Sequence, residues 1–277
     1  MRTFTQVDVF TDRLGLGNAV AVVHDATGLT DDALARFARW TQLSETTFLL
    51  PPTDPDADYR LRIFTASSEL PFAGHPTLGS ARAWLEAGGR PRRPDRLVQE
   101  CGAGLVELRR SGDRLAFRAP PRLRSGPVAP GEVARLTAGL GLRPDQVVDA
   151  RWADNGPGWV ALLLDSAAAV LGIEPRLDLL RPDEMIGVVG PHPDGSAARF
   201  EVRAFFAGRG LEEDPVTGSL NAALAQWLIP AGLAPSSYVA AQGTCLQREG
   251  RVHVEADGPD VWVGGDTVVG VTGTVAL

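Results

Sequence analysis

Two decapeptides of this 277-residue chain share the ending Pro-x-x-Gly-Ser and carry different titratable side chains before the proline. In PFAGHPTLGS, residues 71–80, that side chain is the imidazole of His75. In GLEEDPVTGS, residues 210–219, it is the carboxyl group of Asp214. Imidazole and carboxyl groups are common proton carriers in enzymes. The two residues are therefore candidates for acid–base chemistry.

Each decapeptide runs into a pattern typical of a helix rich in small residues, which would place the shared turn at a helix N-terminus. Proline near the first helical position sets φ for helix entry, and Gly-Ser leaves the backbone N–H groups unhindered. The first amides of a helix are unpaired and lie at the positive end of its dipole, so they form a natural anion site. Two such termini facing one another would hold a carboxylate. The alternative is that Asp214 only caps a helix and that His75 is an ordinary loop histidine.

Glu45 is the third candidate, because in WTQLSETTFLL it stands where a helix pattern gives way to an apolar strand. A partly buried glutamate has its pKa raised toward the range that suits a general base. Together with a neighbouring imidazole and a second acid, it would complete a set of groups for metal-free proton transfer. Without these neighbours, the simpler interpretation of Glu45 is a solvent-exposed acid in a turn.

The composition excludes several kinds of chemistry. All 27 basic residues are arginine, which excludes a Schiff-base lysine and the lysine of a Walker-type phosphate loop. The four histidines and two cysteines are scattered, without the close spacing of metal ligands. We therefore expect catalysis that uses neither a metal nor a cofactor.

The charge and hydropathy patterns limit the possible partners. A net charge of −7 argues against nucleic-acid binding, which requires a basic surface. The sequence has no long apolar span and no signal-peptide pattern at its start, so we expect no membrane association. A cytoplasmic enzyme or binding protein with a small-molecule ligand is the expectation.

Strand-like and helix-like stretches alternate on both sides of residues 119–130, a segment with four prolines that predicts a linker. The chain is therefore predicted to form two domains of the α/β (α+β) class, residues 1–118 and residues 131–265.

Within each half, matching features follow one another in the same order. An Arg-x-Phe strand end, from Arg62 or Arg203, precedes the decapeptide, and a helix is predicted after it at about 76–87 or 216–229. AWLEAG in the first helix corresponds to QWLIPAG in the second. This order predicts an internal duplication with pseudo-twofold symmetry.

These motifs, in this order, resemble the PhzF family of phenazine-biosynthesis-like proteins, which has the diaminopimelate-epimerase-like fold. The resemblance implies two pseudo-symmetric domains, each a curved, barrel-like sheet around a central helix, with the site in the cleft between them. It also implies that the last strand, about residues 266–277, completes the first domain, and that the protein is a homodimer. The matching segments are VDVF…GNAVAVV (7–23), SETTFL (44–49), FTASSELPFAGHPTLGSA (64–81), DNGPGWV (154–160), EEDPVTGSLNAALA (212–225) and QG (242–243).

The resemblance implies a cofactor-independent isomerase acting on a small unsaturated carboxylate such as trans-2,3-dihydro-3-hydroxyanthranilate. In the family, the glutamate of the SET motif carries the proton. In this chain that glutamate is Glu45. Glu45 would remove an allylic C–H proton from the substrate and return it to a distant carbon of the conjugated system, on the same face of the substrate. His75 and Asp214 match the other catalytic positions.

The resemblance also assigns the carboxylate-binding positions. Gly74, Gly218 and Ser219 match the residues whose backbone amides hold the substrate carboxylate, and Ser219 also matches a polar site position.

Two alternatives stay open. The first is an amino-acid epimerase or racemase of the same fold, in which two thiols occupy the turns that here carry His75 and Asp214. Cys101 and Cys245 lie elsewhere in the sequence, so we interpret them as structural residues. The second is a non-catalytic protein that binds a small carboxylate. The motifs indicate proton chemistry and leave the identity of the substrate open.

Overall fold

The computed structural model of this chain describes residues 1–207 and 213–277. These residues form two compact units: the first is Met1–Arg118 with Gly264–Leu277, and the second is Ala119–Val263. Residues 210–212, which begin the decapeptide around Asp214, lie outside the described residues. Both units combine many strands with few helices, which confirms the predicted α+β class.

The first unit contains the helices and strands before residue 119 and the last strand of the chain. Their bounds are β1 (Arg2–Val9), β2 (Asn18–Val23), α1 (Asp31–Thr41), β3 (Glu45–Leu50), β4 (Tyr59–Phe64), β5 (Glu69–Leu70), α2 (Gly74–Glu86), β6 (Arg96–Cys101), β7 (Gly104–Ser111), β8 (Arg114–Arg118) and, at the end, β18 (Thr267–Val275).

The second unit contains the elements between β8 and β18. The last two residues of its final strand, 264 and 265, are counted with the first unit. The bounds of these elements are β9 (Arg124–Pro127), α3 (Pro130–Gly139), a 3₁₀ turn (Pro144–Gln146), β10 (Val147–Asp154), β11 (Trp159–Leu164), α4 (Ala167–Leu171), a 3₁₀ turn (Leu177–Leu179), β12 (Met185–Pro191), β13 (Phe200–Phe206), β14 (Glu213–Asp214), α5 (Gly218–Leu228), β15 (Ser237–Gln242), a 3₁₀ turn (Thr244–Leu246), β16 (Gly250–Asp257) and β17 (Asp260–Gly265).

The strand pairing of the first unit is repeated in the second. In the first, β1–β2 is antiparallel, β2–β3 parallel, β3–β4 antiparallel, β4–β6 parallel and β6–β7 antiparallel. In the second, β10–β11, β11–β12, β12–β13, β13–β15 and β15–β16 alternate in the same way. The two-residue strands β5 and β14 pair antiparallel with β4 and β13. This repeated topology confirms the duplication.

Most residues of helices α2 and α5 are buried. Small and apolar side chains on most sides of a helix allow it to lie in the interior of a unit. Helix α2 packs on β1, β2 and β3, and helix α5 packs on β10 and β16. The approach is close at Gly79 of α2, where a Cβ atom would lie 2.3 Å from Cγ1 of Val20. Small residues in the repeat therefore allow the helix to lie directly against the sheet.

The two helices begin at different points of the shared turn, which corrects the predicted starts. Helix α2 begins at Gly74, so Pro76 lies within its first turn. Proline is tolerated there because the N–H group that it lacks would have no intrahelical partner. Helix α5 begins at Gly218, two residues later than predicted. Asp214 belongs to β14 and Thr217 keeps an extended backbone (φ −113°, ψ 101°), so the helix starts only after them.

Part of the segment that the prolines identify as a linker is regular structure. Residues Arg124–Pro127 form β9 and pair antiparallel with β10, and Pro130 begins α3. Proline is tolerated at a strand end and at the first position of a helix, which is where both prolines lie. Within residues 1–207 and 213–277, no helix is long and apolar enough to cross a membrane.

Candidate active site

Glu45 and His75 come together in the first unit. Glu45 is the first residue of β3, and His75 is the second residue of α2. Oε2 of Glu45 lies 3.4 Å from Nε2 of His75, and the two side chains are 16% and 5% exposed. Glu45 is therefore partly buried beside an imidazole, which contradicts the interpretation of a solvent-exposed turn acid.

Burial determines the charge of His75. Desolvation lowers the pKa of His75 to about 3, although a hydrogen bond with the main chain of Ala19 acts in the opposite direction. The imidazole is therefore neutral near pH 7, and its contact with Glu45 is not an ion pair. Nε2 of His75, the nitrogen next to Glu45, has no hydrogen-bond partner among the described residues. A neutral imidazole in this position leaves the carboxylate of Glu45 without a neutralising cation from the histidine.

The opposite side of the imidazole contacts the start of β2. Nδ2 of Asn18 lies 3.4 Å from Nδ1 of His75, and Asn18 is buried. Asn18 belongs to the GNAVAVV segment, which contributes to the family resemblance without a functional role for Asn18. Gly74 precedes His75 as the first residue of α2, so its amide belongs to the first turn and has no intrahelical acceptor.

Asp214, Gly218 and Ser219 lie close along the chain in the second unit. Asp214 is 6% exposed, and one oxygen of its carboxyl group accepts a hydrogen bond of 2.5 Å from Oγ1 of Thr217. The N-cap of α5 is Thr217, so the interpretation of Asp214 as a helix cap is wrong. Gly218 and Ser219 are the first two helical residues, with amides in the unpaired first turn.

Neither α2 nor α5 receives a side-chain cap from the described residues. Thr217 stands at the cap position, yet its hydroxyl group contacts Asp214 instead of the first turn of the helix. Helix N-termini without a side-chain cap keep amides that can bind an anion. This geometry suits both turns for carboxylate binding.

Ser219 has two partners that sequence reasoning missed. Nε1 of Trp159 donates to Oγ of Ser219 at 3.1 Å, and Nδ2 of Asn155 donates to the Ser219 carbonyl oxygen at 2.8 Å. Because an indole N–H only donates, the Ser219 hydroxyl accepts there and can donate its proton elsewhere. Both partners belong to the DNGPGWV segment, so the resemblance had marked them without assigning a function.

The Arg-x-Phe repeat also has a structural role. Arg62 donates two hydrogen bonds to Glu69 (2.7 and 2.6 Å), and Arg203 donates two to Glu213 (2.9 and 2.8 Å). Each guanidinium also lies over the phenylalanine two residues later, at 5.1 and 4.8 Å from the ring centre. The arginine thus anchors a short strand, which precedes the decapeptide in the first unit and lies within it, ending with Asp214, in the second.

The two cysteines lie outside both decapeptides, and both are free thiols. Burial raises the pKa of Cys101. Burial is also the main cause of the raised pKa of Cys245, to which nearby carboxylates contribute. A raised pKa disfavours the reactive thiolate, which agrees with a structural role. Across the described ranges, His, Cys, Asp and Glu side chains form no group of three or more that could hold a metal ion.

Comparison with known proteins extends these observations to the whole chain. The family model for phenazine biosynthesis-like proteins (PhzC-PhzF) matches residues 7–277. The chain is 36% identical over 290 residues to antisense-enhancing sequence 1 of Schizosaccharomyces pombe, covering 98% of this chain and 97% of that protein. It is 33% identical over 272 residues to trans-2,3-dihydro-3-hydroxyanthranilate isomerase of Pseudomonas aeruginosa, covering 93% and 91%.

Solved structures share the fold. A PhzF-family protein of Enterococcus faecalis superposes with a TM-score of 0.82 at 22% identity, covering 100% of this chain and 99% of that one. A probable proline racemase of Agrobacterium radiobacter gives a TM-score of 0.60 at 14% identity, covering 100% and 93%. At these identities the likeness concerns the fold alone, and it confirms the predicted epimerase-like class.

Proposed function

This chain belongs to the phenazine biosynthesis-like (PhzC-PhzF) protein family, and from that premise we propose that it is an isomerase that shifts a proton within a small unsaturated carboxylate. The contact between the Glu45 carboxyl group and the neutral His75 imidazole is the observation that carries the proposal. A carboxylate beside a neutral, buried imidazole is a proton acceptor that keeps its basicity.

Glu45 is the proposed proton carrier. Its carboxylate takes an allylic C–H proton, and the electron pair of that bond moves into the conjugated system. The resulting carboxylic acid returns the same proton to a distant carbon of the substrate. Substrate and product are then isomers, and Glu45 ends as the carboxylate with which it began. This sequence balances without an external oxidant, reductant or cofactor.

Binding of the substrate carboxylate is assigned to main-chain amides. Gly74 supplies one from the first turn of α2, and Gly218 and Ser219 supply two from the first turn of α5. The Ser219 hydroxyl, which accepts from Trp159, can also donate its own proton to a carboxylate bound at the start of α5. Asp214 is proposed as the second acid–base group, matching its position in the family motif.

The positions of the thiols argue against an amino-acid epimerase. A two-thiol mechanism requires a thiolate on one side of the substrate and a protonated thiol on the other, whereas Cys101 and Cys245 lie outside both decapeptides. Burial also raises the pKa of both thiols. The relative from Pseudomonas aeruginosa makes trans-2,3-dihydro-3-hydroxyanthranilate the first substrate to test.

The decisive experiment incubates the protein with trans-2,3-dihydro-3-hydroxyanthranilate in D2O and follows the substrate by NMR. We expect an isomerised product in which the transferred position carries deuterium to the extent that the Glu45 proton exchanges with solvent. Binding without isomerisation or exchange would support a carboxylate-binding protein instead. Exchange at the α-carbon of amino acids, without a double-bond shift, would support an epimerase.

A homodimer is the proposed assembly, following the family resemblance. The cytoplasm is the proposed location. Light scattering on the protein as it elutes from a size-exclusion column would test the assembly. The expected result is twice the mass of the monomer. A monomeric mass at micromolar concentration would contradict it.

A further inference from the structure

Gln242 is a fully buried side chain that the proposed reaction does not use. It ends β15, and its amide group makes four hydrogen bonds to the start of α5 and the segment before it. Oε1 accepts from the Thr217 main-chain N–H at 3.0 Å and from Nδ2 of Asn221 at 2.9 Å. Nε2 donates to the Asp214 carbonyl oxygen at 3.2 Å and to Oγ1 of Thr217 at 3.0 Å. The amide therefore has a partner on each of its polar atoms.

Two of these partners fix the orientation of the amide. A main-chain N–H can only donate, so the Gln242 atom that faces the Thr217 N–H is the carbonyl oxygen Oε1. A main-chain carbonyl can only accept, so the atom that faces the Asp214 carbonyl is the nitrogen Nε2. Reversing the amide would lose both bonds in a fully buried site. Nε2 is consequently the donor in its contact with Thr217.

The orientation of Gln242 then determines that of the Thr217 hydroxyl. Oγ1 of Thr217 accepts from Gln242, and a hydroxyl group has a single proton to donate. Oγ1 lies 2.5 Å from Oδ2 of Asp214, which is within the range of strong O–H···O⁻ hydrogen bonds. Thr217 is 6% exposed, so water competes little for this proton. The hydroxyl proton therefore points at the Asp214 carboxylate.

We propose that Gln242 is a positioning residue, which holds the Thr217 hydroxyl as a dedicated donor to Asp214 and so keeps that carboxylate in one orientation. The proposal rests on the catalytic role assigned to Asp214 above. Gln242 acts through Thr217 and does not itself contact the substrate. The QG segment that contributed to the family resemblance thereby acquires a function.

The first unit has a related but different arrangement, which shows what is particular to Gln242. Gln99 of β6 is also a fully buried glutamine, and it is paired with Tyr59 of β4. Nε2 of Gln99 donates to Oγ1 of Thr77 at 3.0 Å, while its Oε1 accepts from the hydroxyl of Tyr59 at 3.2 Å. Both glutamines thus donate to a buried threonine hydroxyl, and in the second unit that hydroxyl also contacts the carboxyl group of Asp214.

Three variants and a control test the proposal in the whole 277-residue chain. Gln242→Met keeps the volume and removes the amide, and Thr217→Val removes the hydroxyl. Both should lower kcat for trans-2,3-dihydro-3-hydroxyanthranilate by about ten- to a hundredfold, the effect of losing a hydrogen bond to a charged group. KM should stay unchanged, because the substrate carboxylate is bound by other groups. Thr217→Ser, which keeps the hydroxyl, should recover most of kcat.

Gln226→Met is the matched control. Gln226 is a partly buried glutamine farther along α5, and its Nε2 donates to the Pro120 carbonyl oxygen at 2.9 Å. Its variant should keep the kcat of the wild type. Circular dichroism and thermal unfolding establish that each variant is folded. A folded Gln242→Met with unchanged kcat, or equal kcat in Thr217→Val and Thr217→Ser, would overturn the proposal.

A spectroscopic measurement tests the proposal without an activity assay. The buried Thr217 hydroxyl proton, donated to a carboxylate, should give a slowly exchanging downfield ¹H NMR signal. The signal should disappear in Thr217→Val, shift in Gln242→Met and stay in place in Gln226→Met. An unshifted signal in Gln242→Met refutes the positioning role even if the wild type isomerises nothing. Failure of the wild type to isomerise the substrate, with the expected NMR shifts, refutes only the proposed function.

Discussion

Nε2 of His75 lies 3.4 Å from Oε2 of Glu45, although 29 residues separate the two in the chain. The distance arises because β3 pairs with β2 and α2 packs on both strands. Glu45 starts β3, where Val20 of β2 is its paired residue. The start of the strand and the first turn of the helix therefore meet, and they bring the proposed base beside a buried, neutral imidazole.

Glu45→Gln should abolish proton transfer while preserving ligand binding. Glutamine keeps the shape of the side chain but cannot accept the C–H proton, so we expect a loss of at least about 10²-fold in kcat. The carboxylate-binding amides are unaffected, so titration calorimetry should give a similar affinity for a substrate analogue. Glu107→Gln is a control, since this partly buried glutamate pairs with Arg96 on neighbouring strands. Substantial isomerisation by Glu45→Gln would remove Glu45 from its proposed role.

Acid should destabilise the fold through His75. The pKa of His75 is lowered by burial to about 3 in the folded protein, against about 6.5 when the chain is unfolded. Between these values the unfolded state binds the extra proton, so the free energy of unfolding falls as pH decreases from 6.5 toward 3. The contribution of this one group approaches about 1.4 kcal/mol per pH unit within that window.

Urea unfolding at several pH values between 7 and 4 would measure this effect. His75→Gln removes the titrating group, so its free energy of unfolding should fall less steeply with acid than that of the wild type. Equal slopes in the two proteins would show that His75 is not buried as a neutral group.

Removing both thiols should leave activity intact. The double variant Cys101→Ala, Cys245→Ala keeps both decapeptides and the contact between Glu45 and His75. We expect the same isomerisation rate as in the wild type, measured in the D2O experiment, and only a small loss of stability. Loss of proton exchange in a folded double variant would favour the two-thiol epimerase mechanism.

The two copies of the Arg–Glu pair should differ in their effect on stability. Arg203 and Glu213 have side chains only 6% and 9% exposed, and Nη1 of Arg203 also donates to the carbonyl oxygens of Val170 and Ile173. Arg203→Met leaves Glu213 buried without its partner, a situation that costs about 3–5 kcal/mol.

Arg62→Met is the matched variant in the first unit. The Glu69 side chain there is 43% exposed, so water can solvate the carboxylate after the arginine is removed. Pairs of this kind contribute about 0–1 kcal/mol. Chemical denaturation of both variants measures the difference. Equal losses of stability would show that burial does not distinguish the pairs.

Much of the architecture could be predicted from local signals in the sequence. The two decapeptides, the Arg-x-Phe ends and the following helix patterns indicated a duplication, which the repeated strand pairing confirms. Turn and helix-entry residues act through their own backbone preferences, so a short segment carries this information. The start of α5 was harder to predict, because Asp214 and Thr217 before it contact Gln242, which lies far away in the chain.

The sequence by itself determined the family and the α+β class, and it supplied Glu45, His75 and Asp214 as candidates, since these depend on residue types and their spacing. Only the tertiary structure decided that Glu45 contacts His75 and that His75 is neutral, because distance and desolvation arise from packing. It also decided the hydrogen-bond partners of Gln242, since Asp214 and Thr217 lie 28 and 25 residues away. The direction of a hydroxyl proton depends on which donors and acceptors surround it, and folding alone brings those groups together.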